Sequence, residues 1–147
     1  MSETTFTTDP SKDNRIGFFK RLLGKCLTEV PRNDECWSFA DGNLTIDLGK
    51  AGELARPGQA LRFEAETLPH RVLVVHGDDG EYHAFKNECT HGKRQLDPVP
   101  GAGTVQCCSL GKSTFEYSGE FVRGSAKDNL TVYPVTVAEK TLTVQLG

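Results

Sequence analysis

The chain has 147 residues, 37% of them hydrophobic, and a formal net charge of −3, enough for one domain with its own core and too little for a second of similar size. The mild acidity excludes a general electrostatic basis for binding nucleic acid, whose phosphates demand clustered Lys and Arg. Five cysteines, an odd number with no export features beside them, argue against a disulfide framework and for buried thiols, metal ligands or reactive groups.

Residues 1–14 carry Ser, Thr, Asp and Lys with no apolar period, which predicts a flexible N-terminal tail. The stretch 15–43 reads as a helical or linker extension. Within it Ile16, Phe18, Phe19, Leu22, Leu23, Cys26 and Leu27 recur at helical spacing, with Lys20, Arg21 and Lys25 largely between them. A short amphipathic helix is expected there, docked on its own domain or a partner; a basic helix of this kind can also make peripheral contact with a membrane surface. The same three cations interrupt the apolar run, so neither a signal peptide nor a transmembrane segment is expected, and the cytoplasm is the expected location. Cys26 on the helical face and Cys36 before Trp37 read as core thiols.

Beyond Pro31 the helical period does not return. Candidate strands run over Leu44–Leu48, Ala60–Glu66, Arg71–His76, Tyr82–Lys86, Thr104–Cys107, Thr114–Tyr117, Leu130–Val137 and Thr141–Leu146. Gly77-Asp78-Asp79-Gly80 reads as a hairpin turn, and Gly101-Ala102-Gly103 as a tight entry to the next strand. The expected fold is mostly β, a small antiparallel barrel or sandwich over residues 44–147, preceded by the short helix.

Two loops place sulfur and imidazole donors at turns that follow strands. One is Cys89-Thr90-His91; the other is Cys107-Cys108-Ser109-Leu110-Gly111, which begins after 15 intervening residues. Thiolates with imidazole favour zinc, iron or an iron–sulfur cluster over magnesium or calcium. His70, His76 and His83 read as ordinary partly buried or solvent-facing residues rather than ligands.

In this order of segments the sequence resembles a Rieske [2Fe–2S] domain. The resemblance is carried by Asp79-Gly80-Glu81-Tyr82-His83-Ala84-Phe85, Asn87-Glu88-Cys89-Thr90-His91, Leu96-Asp97, Thr104-Val105-Gln106-Cys107, Ser113-Thr114-Phe115-Glu116-Tyr117, Gly119-Glu120 and the run from Gly124 to Val135. It implies a Rieske-like domain over 44–147 and a cluster held by C-x-H and, about sixteen residues on, C-x-x-H, two cysteines on one iron and two histidines on the other. The second histidine is absent. Aligned on Thr104-Val105-Gln106, the second cysteine is Cys107 and Leu110 replaces histidine; aligned on Ser113-Thr114-Phe115, the register preferred here, it is Cys108 and Gly111 replaces histidine.

Three outcomes remain open for that site. A [2Fe–2S] cluster is retained by Cys89, His91, Cys107 and Cys108 or with an outside group; a single zinc or iron is held by the same donors; or the fold carries no metal. The resemblance further implies that Ser113 donates its hydroxyl to cluster sulfur. It sets Phe115 where higher-potential members have tyrosine, and Arg94 where their loop-to-loop disulfide has a cysteine. The family span is about −150 to +300 mV, and these features point to its lower part. No such loop-to-loop staple is expected. Lys93, Arg94 and Lys112 read as a solvated rim that could also steer an acidic partner.

The implied function is a Rieske-type electron-transfer protein or ferredoxin-like component of an oxidoreductase system, working with a redox protein partner. An independent catalyst is not expected, because no His, His and carboxylate set for mononuclear iron lies outside the Rieske-like region. The rival is a Rieske-like module without an iron–sulfur cluster, metal-free or holding one zinc, that binds a protein through Phe18, Phe19, Leu22 and Leu23. Thiol chemistry at Cys107-Cys108 is a third reading, weakened by the strain of a vicinal disulfide.

Overall fold

The computed structural model describes residues 26–90, 94–108, 112–126 and 128–147. The tail over 1–14 and nearly all of the expected helix lie outside them. Cys26 and Leu27, the last positions of that helix, have no regular secondary structure.

The described strands are β1 (Trp37–Ala40), β2 (Asn43–Asp47), β3 (Ala60–Phe63), β4 (Val72–His76), β5 (Tyr82–Lys86), β6 (Leu96–Val99), β7 (Thr104–Cys107), β8 (Thr114–Glu116), β9 (Phe121–Arg123), β10 (Val132–Tyr133), β11 (Val135–Ala138) and β12 (Thr141–Gln145). They form three antiparallel sheets, ordered β1-β2-β12-β11, β10-β5-β4-β3 and β6-β7-β8-β9. The mostly β expectation is met.

The first sheet joins the two ends of the domain. Leu44 and Ile46 of β2 lie opposite Val144 and Leu142 of β12, and all four are fully buried, as the two-residue period of a half-buried strand requires. Each such aliphatic burial stabilises the fold by about 1.5–3 kcal/mol.

Strand β4 departs from that alternation because both of its faces are covered. Val72 and Val74 pack in a first core with Leu44, Ile46, Phe63 and Leu142. Leu73 and Val75 pack in a second core with Phe85, Cys89, Leu96, Val105, Cys107 and Phe115. A continuous apolar run is what a strand walled on both sides needs. Cys36 belongs to the first core; burial pushes its thiol up, with the Glu53 carboxylate adding to the effect, which keeps it a neutral packing group.

Three strands are absent from the sequence reading. β1 lies within the stretch taken as helical or linker extension, yet pairs with β2 from Trp37 opposite Ile46 to Ala40 opposite Asn43. β6 contains Asp97 and Pro98, and β9 is three largely exposed residues, so neither carries an apolar alternation. The run Leu130–Val137 is divided at Pro134, which has no N–H for a ladder. On one side of it β10 pairs with β5, and on the other β11 pairs with β12.

Candidate metal centre

The first loop leaves β5 and returns as β6. Asn87, fully buried, ties its base: its N–H donates to the Arg71 carbonyl at 2.8 Å and its Oδ1 accepts from the Leu96 N–H at 2.8 Å. The Cys89 N–H then donates to the Arg94 carbonyl at 2.6 Å, tying together the two described ends of the loop. Thr90 fastens it sideways through a hydroxyl bond to the Asp128 carbonyl at 2.9 Å.

The second loop leaves β7 and returns as β8. It is closed by the Cys107 N–H donating to the Ser113 carbonyl at 2.7 Å, and joined to the first hairpin by the Cys108 N–H donating to the Gln95 carbonyl at 3.0 Å. The β6–β7 register sets Leu96 opposite Cys107. Cys89 and Cys107 therefore stand at the bases of neighbouring loops, each 1% exposed, in the same core.

Ser113 and Gly124 meet behind the second loop. The buried Ser113 Oγ accepts from the Ala126 N–H at 2.9 Å. Gly124 has φ +117°, and a Cβ there would come within 2.4 Å of Ser113 Cα, so only glycine fits the backbone and the close approach.

Cys108 is placed differently from Cys107. It forms a disulfide with Cys26 across 82 residues of sequence, with Cα atoms 5.2 Å apart. This bond weighs against the preferred register, with Cys108 as the ligand, and favours Cys107, because a disulfide sulfur is not a thiolate and only the thiolate ligates. The reading of Cys26 as a core thiol is corrected by the same bond. The second loop is stapled to the segment ahead of the sheet rather than to the first loop. Cys36, Cys89 and Cys107 are buried cysteines outside that disulfide.

His91, Lys93, Leu110 and Gly111 lie outside the described residues. Of the other histidines, His76 and His83 have local partners, and none is grouped with these cysteines among the described residues. His76 Nδ1 is 2.8 Å from the Leu54 carbonyl; His83 Nε2 is 2.9 Å from Asp79, with its ring stacked on Tyr117; His70 is exposed.

Sequence reasoning missed the role of Asp97. Its carboxylate, 1% exposed, accepts from the Leu27 N–H at 2.8 Å, the Thr28 N–H at 2.9 Å and the Thr28 hydroxyl at 2.7 Å. It thereby holds the segment that carries Cys26 against β6. The sole signal was an acidic residue between apolar neighbours, and nothing in the sequence links it to residues about seventy positions earlier.

A Rieske cluster asks for two thiolates on one iron and two imidazoles on the other. Cys89 and Cys107 suit the thiolate pair by burial and by their shared core. Two polar groups nearby also suit an acceptor such as sulfide: the buried Asn87 Nδ2 has no hydrogen-bond partner among the described residues, and the Ser113 hydroxyl, whose oxygen accepts from Ala126, carries a proton to donate. The imidazole side does not fit, since His91 is the lone histidine in either loop. The residues present match the cysteine-bound half of such a cluster and leave the other half one ligand short.

Residues 45–134 match the family described as the Rieske [2Fe-2S] domain. The fold is similar to that of the ferredoxin of carbazole 1,9a-dioxygenase from Nocardioides aromaticivorans IC177, with a TM-score of 0.54 and 22% identity over 63% of this chain and 88% of that one. It is similar as well to a chain in the complex of reduced oxygenase and oxidized ferredoxin in carbazole 1,9a-dioxygenase, with a TM-score of 0.53 and 19% identity over 61% of this chain and 82% of that one. The apo form of the quaternary ammonium Rieske monooxygenase CntA matches at a TM-score of 0.51 and 17% identity, over 65% of this chain and only 31% of that larger one. No curated protein sequence matches. At these identities the structural likeness establishes the fold, and the family match covers well over half of the chain: it belongs to the Rieske [2Fe–2S] domain family.

Proposed function

We propose that the protein is a one-electron carrier, the ferredoxin-like component of an oxidoreductase system, with Cys89 and Cys107 as the thiolate pair and His91 as an imidazole ligand of a [2Fe–2S] cluster. A Rieske-family domain is an electron-transfer domain, and the observation that carries the ligand assignment is the burial of Cys89 and Cys107 in one core at the bases of adjoining loops. A bound cluster supplies one-electron redox chemistry; the chain's own part is to hold it, exclude water and set its surroundings. Substrate chemistry belongs to a partner. The similar ferredoxin of a carbazole dioxygenase makes an oxygenase the partner class of choice. Arg94 and Lys112, both exposed at the ends of the two loops, suit a partner with an acidic face.

A second reading is favoured by one observation. With Cys108 in a disulfide and leucine or glycine at the second histidine position, the two loops offer three donors. A single zinc, or no metal, accords with that count, and the domain would then serve as an interaction module.

Anaerobic purification followed by iron, sulfide and zinc analysis, with visible and electron paramagnetic resonance spectra, tests the reading. Two irons and two sulfides per chain are expected. Cys89→Ser and Cys107→Ser should each abolish them, and Cys108→Ser should retain them. A folded protein with one zinc or no metal would overturn the electron-carrier reading, and loss of the cluster from Cys108→Ser alone would overturn the ligand assignment.

A further inference from the structure

We propose that Cys26, Cys108 and Asp97 form a second metal site, distinct from Cys89 and Cys107, that takes a zinc-type divalent cation when the Cys26–Cys108 disulfide is reduced. One ligand atom from each of the three residues lies within 4.8 Å of the other two. They come from separate parts of the fold: the segment ahead of β1, strand β6 and the loop after β7. Cys108 and Asp97 are buried, whereas Cys26 is partly exposed and gives the cation an entry path.

The donor chemistry selects the ion class. Two thiolates and one carboxylate suit zinc far better than magnesium or calcium, which prefer oxygen alone. The Leu27 and Thr28 donors that hold Asp97 act as the outer hydrogen bonds that fix a ligating carboxylate. A tetrahedral centre with Zn–S bonds of about 2.3 Å keeps its two sulfurs about 3.8 Å apart. From Cα atoms 5.2 Å apart, rotation of the two side chains can supply that separation. The fourth position falls to water.

Loading proceeds in two balanced steps. A thiolate of a dithiol reductant attacks one sulfur of the disulfide and the S–S bond breaks; the reductant's second thiol then releases the mixed disulfide, so Cys26 and Cys108 become thiols and the reductant leaves as its own disulfide. The cation then displaces the two thiol protons to solvent, forms two metal–sulfur bonds and binds one Asp97 oxygen. Disulfide and metal are therefore alternative closures of the same contact between the N-terminal segment and the second loop.

Cobalt(II) titration of the full chain, reduced with a phosphine under argon, reads the site through thiolate-to-cobalt charge transfer in the near ultraviolet and intense tetrahedral bands in the visible. The Cys89→Ser/Cys107→Ser double variant should still bind one cobalt per chain, displaced by zinc, and its oxidised form should bind none. Cys26→Ser and Asp97→Asn should each weaken binding at least tenfold. Circular dichroism checks that each variant is folded; should the double variant unfold, Cys26→Ser in the otherwise unchanged chain decides. Binding unaffected by Cys26→Ser would overturn the site, as would a reduced, folded chain with no thiolate-ligated cobalt. Iron and sulfide analysis of the same preparations reads the Cys89 and Cys107 centre separately, so the two proposals fail independently.

Discussion

The two ends of the β6–β7 hairpin are fastened in opposite ways. At the turn end, the Asp78 Oδ2 accepts from the Gly101 N–H at 2.9 Å, the Gly103 N–H at 3.0 Å and the Tyr117 hydroxyl at 3.3 Å, pinning the β4–β5 turn to the β6–β7 turn at the surface. At the loop end, Asn87, Asp97 and Ser113 make comparable bonds to backbone from positions almost closed to solvent. Water can replace what Asp78 provides; nothing replaces what the buried three provide, because a stranded buried donor bears its full desolvation cost. The turn end is self-sufficient, while at the loop end the Asn87 Nδ2 has no partner among the described residues.

That contrast can be broken by substitution. Asp97→Ala should have the largest effect, a loss of about 3 kcal/mol in urea unfolding, since it strands the Leu27 and Thr28 donors together. Gly124→Ala should follow at about 2 kcal/mol, seen as a lowered melting temperature, because the new methyl meets the Ser113 backbone at a positive φ. Ser113→Ala should cost about 1 kcal/mol by leaving the buried Ala126 N–H without its acceptor.

Asp78→Asn should have the smallest effect near neutrality and should alter the acid limb instead. The Gly101 N–H, then the Gly103 N–H, hold the Asp78 carboxyl below its ordinary value. A carboxyl lowered by folding contributes stability that is complete above its unfolded pKa and is lost as pH falls through the folded one. The native chain should therefore lose this contribution only below the usual carboxylate range, and the variant's unfolding profile should be flatter there. Should Asp78→Asn cost as much as Asp97→Ala at neutral pH, the distinction between the two ends would collapse.

The sequence revealed those parts of the fold where one residue's chemistry suffices. Tyr82–Lys86 and Thr104–Cys107 have the same bounds in sequence and structure, because strand-favouring residues such as Tyr82, Phe85, Thr104 and Val105 lie between glycine-bearing turns and the loops. Trp37–Ala40, Leu96–Val99 and Phe121–Arg123 were missed: the first and last carry strand-favouring aromatic residues but are very short, and the second contains Asp97 and Pro98. The split at Pro134 was readable in principle from the missing N–H. At the site, the two donor-bearing loops were legible from spacing and resemblance, although the preferred register chose Cys108 over Cys107, whereas the Cys26–Cys108 bond was not legible. It joins residues 82 positions apart, and only the fold brings them together. Asp97 was hidden for the same reason.

Strand β4 gives one face to each hydrophobic core. A side chain lost from Val72 or Val74 is thus felt one residue away by Leu73 and Val75, which line the compartment holding Cys89 and Cys107. Softening of the scaffold half should therefore reach the cysteine half, and the two are expected to melt together as one cooperative unit.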